Sequence, residues 1–294
     1  MSLNNFAIDS NFSSDPALVE ICRRIWSGAG KDGGLVGDLW VEGVFPAKTG
    51  DDTLASLARK RVFGQPLCDH LDRRGVVPKD RPLYSHQQKS IEICAEHREK
   101  DDKPGLVVTA GTGAGKTEAF LLPILDDLFS TKTVGRGVRC LILYPMNALV
   151  NDQVDRLYNW MIGQDEVTLF HFTGETQENK RYADKAGVPN WEPCRFRTRQ
   201  EARGLEDKNG RPAAGDSARV PDILITNYSM LEYMLCRPQD SVFFGQALRA
   251  VVLDEAHLYT GTLAAEISLL LRRLLLRCGR RSEEVMHFAT SATL

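Results

Sequence analysis

From Leu83 onward, short apolar runs rich in β-branched residues alternate with longer stretches in which apolar positions recur at helical spacing. The short runs predict strands at 106–110, 138–144, 167–172, 223–226, 250–254 and 285–290. The longer patterns predict helices at 86–99, 116–130, 147–161 and 263–277. In the last of these, Leu263, Ile267, Leu270, Leu271 and Leu274 share one face, which should lie against a sheet. Arg272, Arg273 and Arg277 fall on other faces, where a solvated helix surface is the simplest reading. Strands separated by helices cannot be joined as tight hairpins, so the pattern predicts an α/β domain whose mostly parallel sheet carries helices on both faces.

Two regions break the alternation. Residues 1–81 read as an accessory, partly helical N-terminal segment, with short helices expected at Pro16–Trp26 and Thr53–Phe63 around the glycine-rich Gly28–Gly37. Trp26, Trp40 and Phe45 argue for some burial there. The main domain then spans 82–294, interrupted at about 174–220 by a polar stretch with several glycines and prolines, which reads as an insertion or long loop. That stretch holds Arg195, Arg197, Arg199 and Arg203, with Lys180 and Arg181 upstream. A basic loop facing a polyanion and a merely solvated loop both fit these residues.

Chemistry concentrates at three predicted strand ends. Thr109-Ala110-Gly111-Thr112-Gly113-Ala114-Gly115-Lys116-Thr117 follows an apolar run and opens into a helical pattern. Glycines let backbone N–H groups turn inward around an anion, and a helix N-terminus adds partial positive charge. Lys116 then reaches terminal phosphates, and the Thr117 hydroxyl is placed to hold Mg²⁺. A strict phosphate loop has glycine where this chain has Ala110. Asp254-Glu255-Ala256-His257 follows the run at 250–253. Paired carboxylates at a buried strand end are costly without compensation, which suits Asp254 as a Mg²⁺ ligand and Glu255 as the group that positions and deprotonates a water. Thr290-Ser291-Ala292-Thr293 ends the third run, and its small hydroxyl residues could hydrogen-bond the acidic motif and sense the nucleotide. Taken singly, a glycine-rich turn, a surface acidic turn and a chance Ser-Ala-Thr account for these phrases; three in this order do not read as coincidence.

In that order the chain resembles the superfamily 2 helicases and translocases of the DEAH-lettered kind. The match covers roughly Leu83 to Leu294, with their motif I at Ala110 to Thr117, motif II at Asp254 to His257 and motif III at Ser291 to Thr293. The resemblance implies a RecA-like lobe that binds ATP and Mg²⁺ through Thr112, Gly113, Ala114, Gly115, Lys116 and Thr117, with Asp254 on the metal. It implies an adenine-reading glutamine at Gln87, within Tyr84-Ser85-His86-Gln87-Gln88. It implies strand contacts at Pro145 and Asn147 and at Thr226 and Asn227. Ser291 and Thr293 would couple the acidic motif to the nucleotide, and His257 would link it to motif III or to a second lobe. That second RecA-like lobe is expected in cis or in a partner chain. The chain alone is expected to hydrolyse ATP slowly or not at all. DNA, as single strand or duplex, is the expected partner, and the run from His257 to Leu274 looks like that of large bacterial helicases of DNA repair or phage defence. A non-catalytic, nucleotide-responsive binding module is the competing class. Another phosphate-loop ATPase is opposed by the Asp-Glu-Ala-His tetrad, the Ser-Ala-Thr phrase and Gln87.

Composition adds limits. At 294 residues, 43% hydrophobic and 26% charged, the chain has the make-up of an ordinary soluble protein. A net charge of −2 argues against a strongly basic nucleic-acid binder, although a translocase confines positive charge to one channel. No apolar run approaches the roughly 20 residues of a membrane span, and Met1-Ser2-Leu3-Asn4-Asn5 lacks the regions of a secretory signal. The seven cysteines stand singly with no Cys-x-x-Cys pair, so neither zinc nor a disulfide framework is expected, and free thiols in a reducing cytoplasm are.

Overall fold

The computed structural model describes residues 16–26, 47–100, 102–111, 113–131, 135–145, 147–191, 193–214 and 219–292, with backbone alone at 25, 26 and 147–152. The chain divides into two compact units, 1–46 and 47–294. In the first, α1 (Pro16–Trp26) occupies the predicted segment; Trp40 and Phe45 lie outside the described residues.

The second unit is built on a six-stranded, wholly parallel sheet. In chain order its strands are β3 (Gly105–Thr109), β4 (Cys140–Tyr144), β5 (Leu169–His171), β6 (Ile223–Asn227), β7 (Ala250–Leu253) and β8 (Met286–Ser291). Across the sheet they run β3-β8-β7-β4-β6-β5. Every residue of β4 is buried, as expected for a central parallel strand covered on both sides. Successive side chains of that strand alternate between two cores. Cys140, Ile142 and Tyr144 join one with Phe120, Ile124 and Trp160; Leu141 and Leu143 join the other with Ile267, Leu270 and Leu274. Helices therefore cover both faces. The long helix Gly261–Cys278 buries the predicted Ile267, Leu270 and Leu274, while Arg272, Arg273 and Arg277 are exposed.

A small antiparallel pair, β1 (Thr49–Thr53) with β2 (Pro82–Tyr84), precedes the sheet. Between its strands, α2 (Leu54–Arg59) and α3 (Gln65–Arg73) send Leu54, Leu57, Leu67 and Leu71 into the same core as Phe120 and Ile124. The compact unit therefore begins at Ala47 rather than near residue 82, because the apolar side chains of 54–77 complete the core of the main sheet. Thr53 starts α2 by accepting a hydrogen bond from Ser56 N at 3.2 Å.

Two further helices stack on this face, α4 (Ser85–Glu96) and α5 (Lys116–Ser130). Pro123 sits inside α5 and has no N–H for the carbonyl of Ala119. The Ser90 hydroxyl on α4 donates to that carbonyl at 2.5 Å. Next come α6 (Asn147–Met161) and, within the stretch at 174–220, the short α7 (Lys180–Lys185) and α8 (Arg199–Ala202). That stretch is packed rather than a free loop. Leu169 N donates to Cys194 O at 2.8 Å and Phe196 N to Leu169 O at 3.0 Å, so residues 194–196 cover the outer edge of β5. Edge strands need such cover. The sequence pattern also missed α9 (Tyr228–Cys236), which follows β6 without a break. Among the described residues no helix is long and apolar enough to cross a membrane.

Candidate active site

The phosphate-loop phrase turns between the end of β3 and the start of α5. Ala110 N donates to Ser291 O at 3.3 Å, and Ala114 N to Gly111 O at 3.2 Å. Gly113 and Gly115 have φ of +78° and +75°, a conformation that side chains rarely adopt, and Gly115 caps α5. A Cβ at Gly111 or Gly113 would meet nothing within 4 Å, so the loop presents bare backbone. At Gly115 it would lie 2.3 Å from Gln87 Nε2. Thr112 lies outside the described residues. Thr117 is half-buried in the first turn of α5. In the same turn Glu118 pairs with Arg156 of α6.

The acidic phrase stands two strands away, and β8 between them organises it. Leu253 pairs with Ala289, which sets Asp254 beside Thr290. The Thr290 hydroxyl donates to Asp254 Oδ1 and accepts from Glu255 N at 3.2 Å. Asp254 is 7% exposed, and its own N–H donates to Leu143 O at 3.0 Å. Burial raises its pKa above the ordinary carboxylate value; the Thr290 bond and nearby Lys116 oppose that shift, and Glu255 adds to it. Glu255 takes φ +49° and ψ +47°, a left-handed conformation unusual for a residue with a side chain. This turn sets Glu255 Oε1 3.6 Å from Lys116 Nζ. Its other oxygen is buried, makes no hydrogen bond and stands 3.3 Å from His257 Nδ1. Lys116, Asp254, Glu255 and His257 are thus gathered at one mouth. Ser291 ends β8 and joins the site through its carbonyl to Ala110 N; Thr293 lies outside the described residues. The hydroxyl phrase is expected to meet the acidic motif, with Ser291 and Thr293 as its coupling residues; the strand register shows that Thr290 is the one set beside Asp254.

Gln87 is buried with both ends of its amide engaged. Its Oε1 accepts from Tyr84 N at 3.0 Å and its Nε2 donates to Gly115 O at 3.1 Å. Here it ties the start of α4 to the phosphate loop. The rings of Tyr84 and His86 stack beside it, with centroids 5.8 Å apart.

The residues expected to touch a nucleic-acid strand follow β4 and β6 at the same end of the sheet. Pro145 is half-buried after β4, and Asn147 opens α6. Thr226 departs from its expected role: it is wholly buried and its hydroxyl donates to Phe172 O at 2.6 Å, which braces the strand end and leaves no hydroxyl for a phosphate. Asn227 Oδ1 caps α9 by accepting from Met230 N at 2.8 Å. The four arginines of the insertion are neither plainly solvated nor lined up as a basic surface. Arg195 pairs with Asp155 at 3.1 Å, Arg197 with Asp184 at 2.5 Å, Arg199 with Glu178 at 3.7 Å, and Arg203 with buried Asp240 at 2.7 Å.

These groups fit a magnesium–nucleotide complex. Bare backbone at Gly111 and Gly113 suits phosphate oxygens, while a threonine hydroxyl and a carboxylate are the hard oxygen donors that Mg²⁺ takes. The unpartnered Glu255 oxygen leaves an acceptor for water at the mouth.

The family model of the DEAD/DEAH box helicases matches residues 84–294. Among curated proteins, Druantia protein DruE of Escherichia coli (strain UMEA 4076-1) is 30% identical over 311 residues, covering 78% of this chain and 17% of that protein. Among solved structures, the DUF1998 helicase MrfA bound to DNA superposes with a TM-score of 0.56 at 23% identity, over 84% of this chain and 28% of that one. The DEAD-box helicase Mss116 bound to ssRNA and UDP-BeF gives 0.59 at 22%, over 86% and 43%. The chain therefore spans less than half of each of these proteins. With the matched model over most of its length and the RecA-like sheet beneath it, the chain belongs to the DEAD/DEAH box helicase family.

Proposed function

We propose that residues 47–294 are the ATP-binding first lobe of a DNA helicase or translocase, which couples Mg-ATP binding and hydrolysis to movement along a strand. The observation that carries this reading is Lys116 Nζ, 3.6 Å from Glu255 Oε1, in the mouth between the bare glycine loop and buried Asp254. Lys116 takes the terminal phosphates. Thr117 and Asp254 would hold Mg²⁺, which would supply positive charge against the negative charge of the phosphates. Glu255 exchanges its lysine partner for the attacking water and accepts the proton. Thr290 holds the Asp254 carboxylate and the Glu255 backbone N–H through one hydroxyl. Movement needs two lobes that open and close around ATP, so the second comes from the rest of a longer protein or from a partner. The likeness to MrfA, solved bound to DNA, supports a DNA strand. The run from His257 to Leu274 supports a place in DNA repair or phage defence.

The test is nucleotide binding by this chain and turnover by a form with both lobes. Lys116→Ala removes a charged contact worth about 2 kcal/mol, so Mg-ATP affinity falls about thirtyfold. Glu255→Gln leaves affinity within a factor of a few and abolishes strand-stimulated hydrolysis. Vigorous unwinding by the isolated chain would overturn the two-lobe requirement. Binding without turnover in the two-lobe form would instead establish a nucleotide-responsive module.

A further inference from the structure

A cavity of about 220 Å³ opens in the insertion, away from the nucleotide mouth. Its wall carries the cations Lys180, Lys208, Arg195 and Arg197 against a single carboxylate, Glu201. Glu201 is 6% exposed and turned onto the backbone, where its Oε2 accepts from Arg197 N at 2.7 Å. Burial raises its pKa above the ordinary carboxylate value, and the Arg197 and Thr198 backbone N–H groups oppose that shift. Asp155 and Asp184 hold the two arginines from outside the cavity wall and offset part of their charge, but neither lines the space. Lys208 is exposed, and Lys180 is about one-third exposed and pairs with Asp184 at 2.7 Å, a surface i,i+4 pair that a phosphate would have to displace. Asn190 and Asn209 add neutral amides. Trp191 supplies one flat apolar face, its indole held by the Arg195 guanidinium 3.7 Å from the ring centroid and by the edge of Tyr158 at 5.2 Å. Cations, amides and an aromatic face in a space of this size suit one nucleotide of a single strand.

The cavity's position gives it the same occupant as the strand-end turns. A smaller space of about 140 Å³ shares Trp191, Arg195 and Arg197 and reaches His171 and Thr173 at the end of β5. That strand neighbours β6, and β6 neighbours β4. A strand laid over the turns at Pro145 and Asn227 is therefore led outward to the insertion.

We propose that this groove is a second contact for the single nucleic-acid strand, seating one nucleotide against Trp191 with flanking phosphates on Lys180 and Lys208. The proposal rests on the reading of the lobe as part of a translocase.

Fluorescence anisotropy of the whole chain with a labelled oligo-dT, repeated across salt concentrations, tests it. Lys180→Gln/Lys208→Gln should weaken binding about tenfold and flatten the logarithmic salt slope by about 1.4, the loss of two phosphate contacts on a single strand. Mg-ATP binding through Lys116 should not change. A 4-thiothymidine oligonucleotide should crosslink to Trp191. Unchanged affinity and slope, or adducts confined to the turns after β4 and β6, would overturn the groove and leave the proposed function standing. Displacement of the oligonucleotide by equimolar dTMP or inorganic phosphate would show a small-anion pocket and overturn it too. If no oligonucleotide bound while ATP did, the groove and the nucleic-acid part of the proposed function would fall together.

Discussion

Glu255 holds an unfavourable backbone so that its carboxylate faces Lys116. A side-chain-bearing residue in the left-handed region costs about 1 kcal/mol relative to glycine, and its second oxygen is buried without a hydrogen bond. Strain of this kind persists where function holds it. Glu255→Gly should therefore raise stability by about 1 kcal/mol, seen as a thermal midpoint a few degrees higher, while removing turnover in a two-lobe form. A lower midpoint would mean that the pair with Lys116 outweighs the backbone term. The same corner shows what residue types alone conceal. Ser291 and Thr293 stand out as small hydroxyls at a strand end, yet the hydroxyl bound to Asp254 belongs to Thr290. Motif lettering gives the neighbourhood; the pairing of β7 with β8 decides which side chain faces the acid. Gln87 reads as an adenine-pairing amide through the resemblance; its burial and its bonds to Tyr84 and Gly115 depend on how α4 is set against the loop, which spacing does not encode.

At the level of elements, α4 and α5 are joined by a polar contact that the prolines and serines of the sequence do not advertise. Pro123 deprives Ala119 O of its helical donor, and Ser90 supplies a substitute from the neighbouring helix. Ser90→Ala should cost about 1–2 kcal/mol in chemical denaturation, because a buried carbonyl is left without a partner. In a Pro123→Ala background the helix regains its own donor, so the same change should cost markedly less; equal costs in both backgrounds would show that Ser90 contributes only packing. The six parallel strands were readable because each is a short apolar run bounded by polar residues. The helix Tyr228–Cys236 was not, since Tyr228, Met230, Leu231, Tyr233, Met234 and Leu235 give no clear polar face to mark a helical period. Within residues 47–81 the helix expected at Thr53–Phe63 is present as Leu54–Arg59, but the packing of the segment was not readable. Its leucines fill the core under α5, a contact between segments far apart in the chain that no local pattern reports.

For the molecule as a whole, the edge of the sheet at β5 ties stability to pH. His171 ends that edge strand beneath the insertion, and burial lowers its pKa to about 4, with the nearby Arg195 charge acting in the same direction and Asp155 opposing it. The imidazole is therefore neutral in the folded protein at pH values where the unfolded chain already takes up a proton. Its stabilising contribution is complete above about pH 6.5, the unfolded value, and is lost as pH falls from there through about 4. The loss is at most about 3 kcal/mol over that window, since each pKa unit is worth about 1.4 kcal/mol. Carboxylates titrate in the lower part of the same range, so the informative quantity is the difference between the wild type and His171→Gln. Urea denaturation at steps from pH 7.5 to 4.5 should show the wild type losing stability faster than the variant, with most of the divergence between pH 6.5 and 5, above the range in which ordinary carboxylates titrate. Parallel curves would mean that His171 keeps a solvent path and charges without disturbing the edge. A divergence that Arg195→Gln reduces would assign part of the effect to the guanidinium itself. Because residues 194–196 cover β5 on one side while His171 ends it, protonation there should first loosen the insertion and its groove. Hydrogen exchange at acid pH would then rise in residues 169–172 and 194–197 before it rises in β4 or β7, which lie inside the sheet.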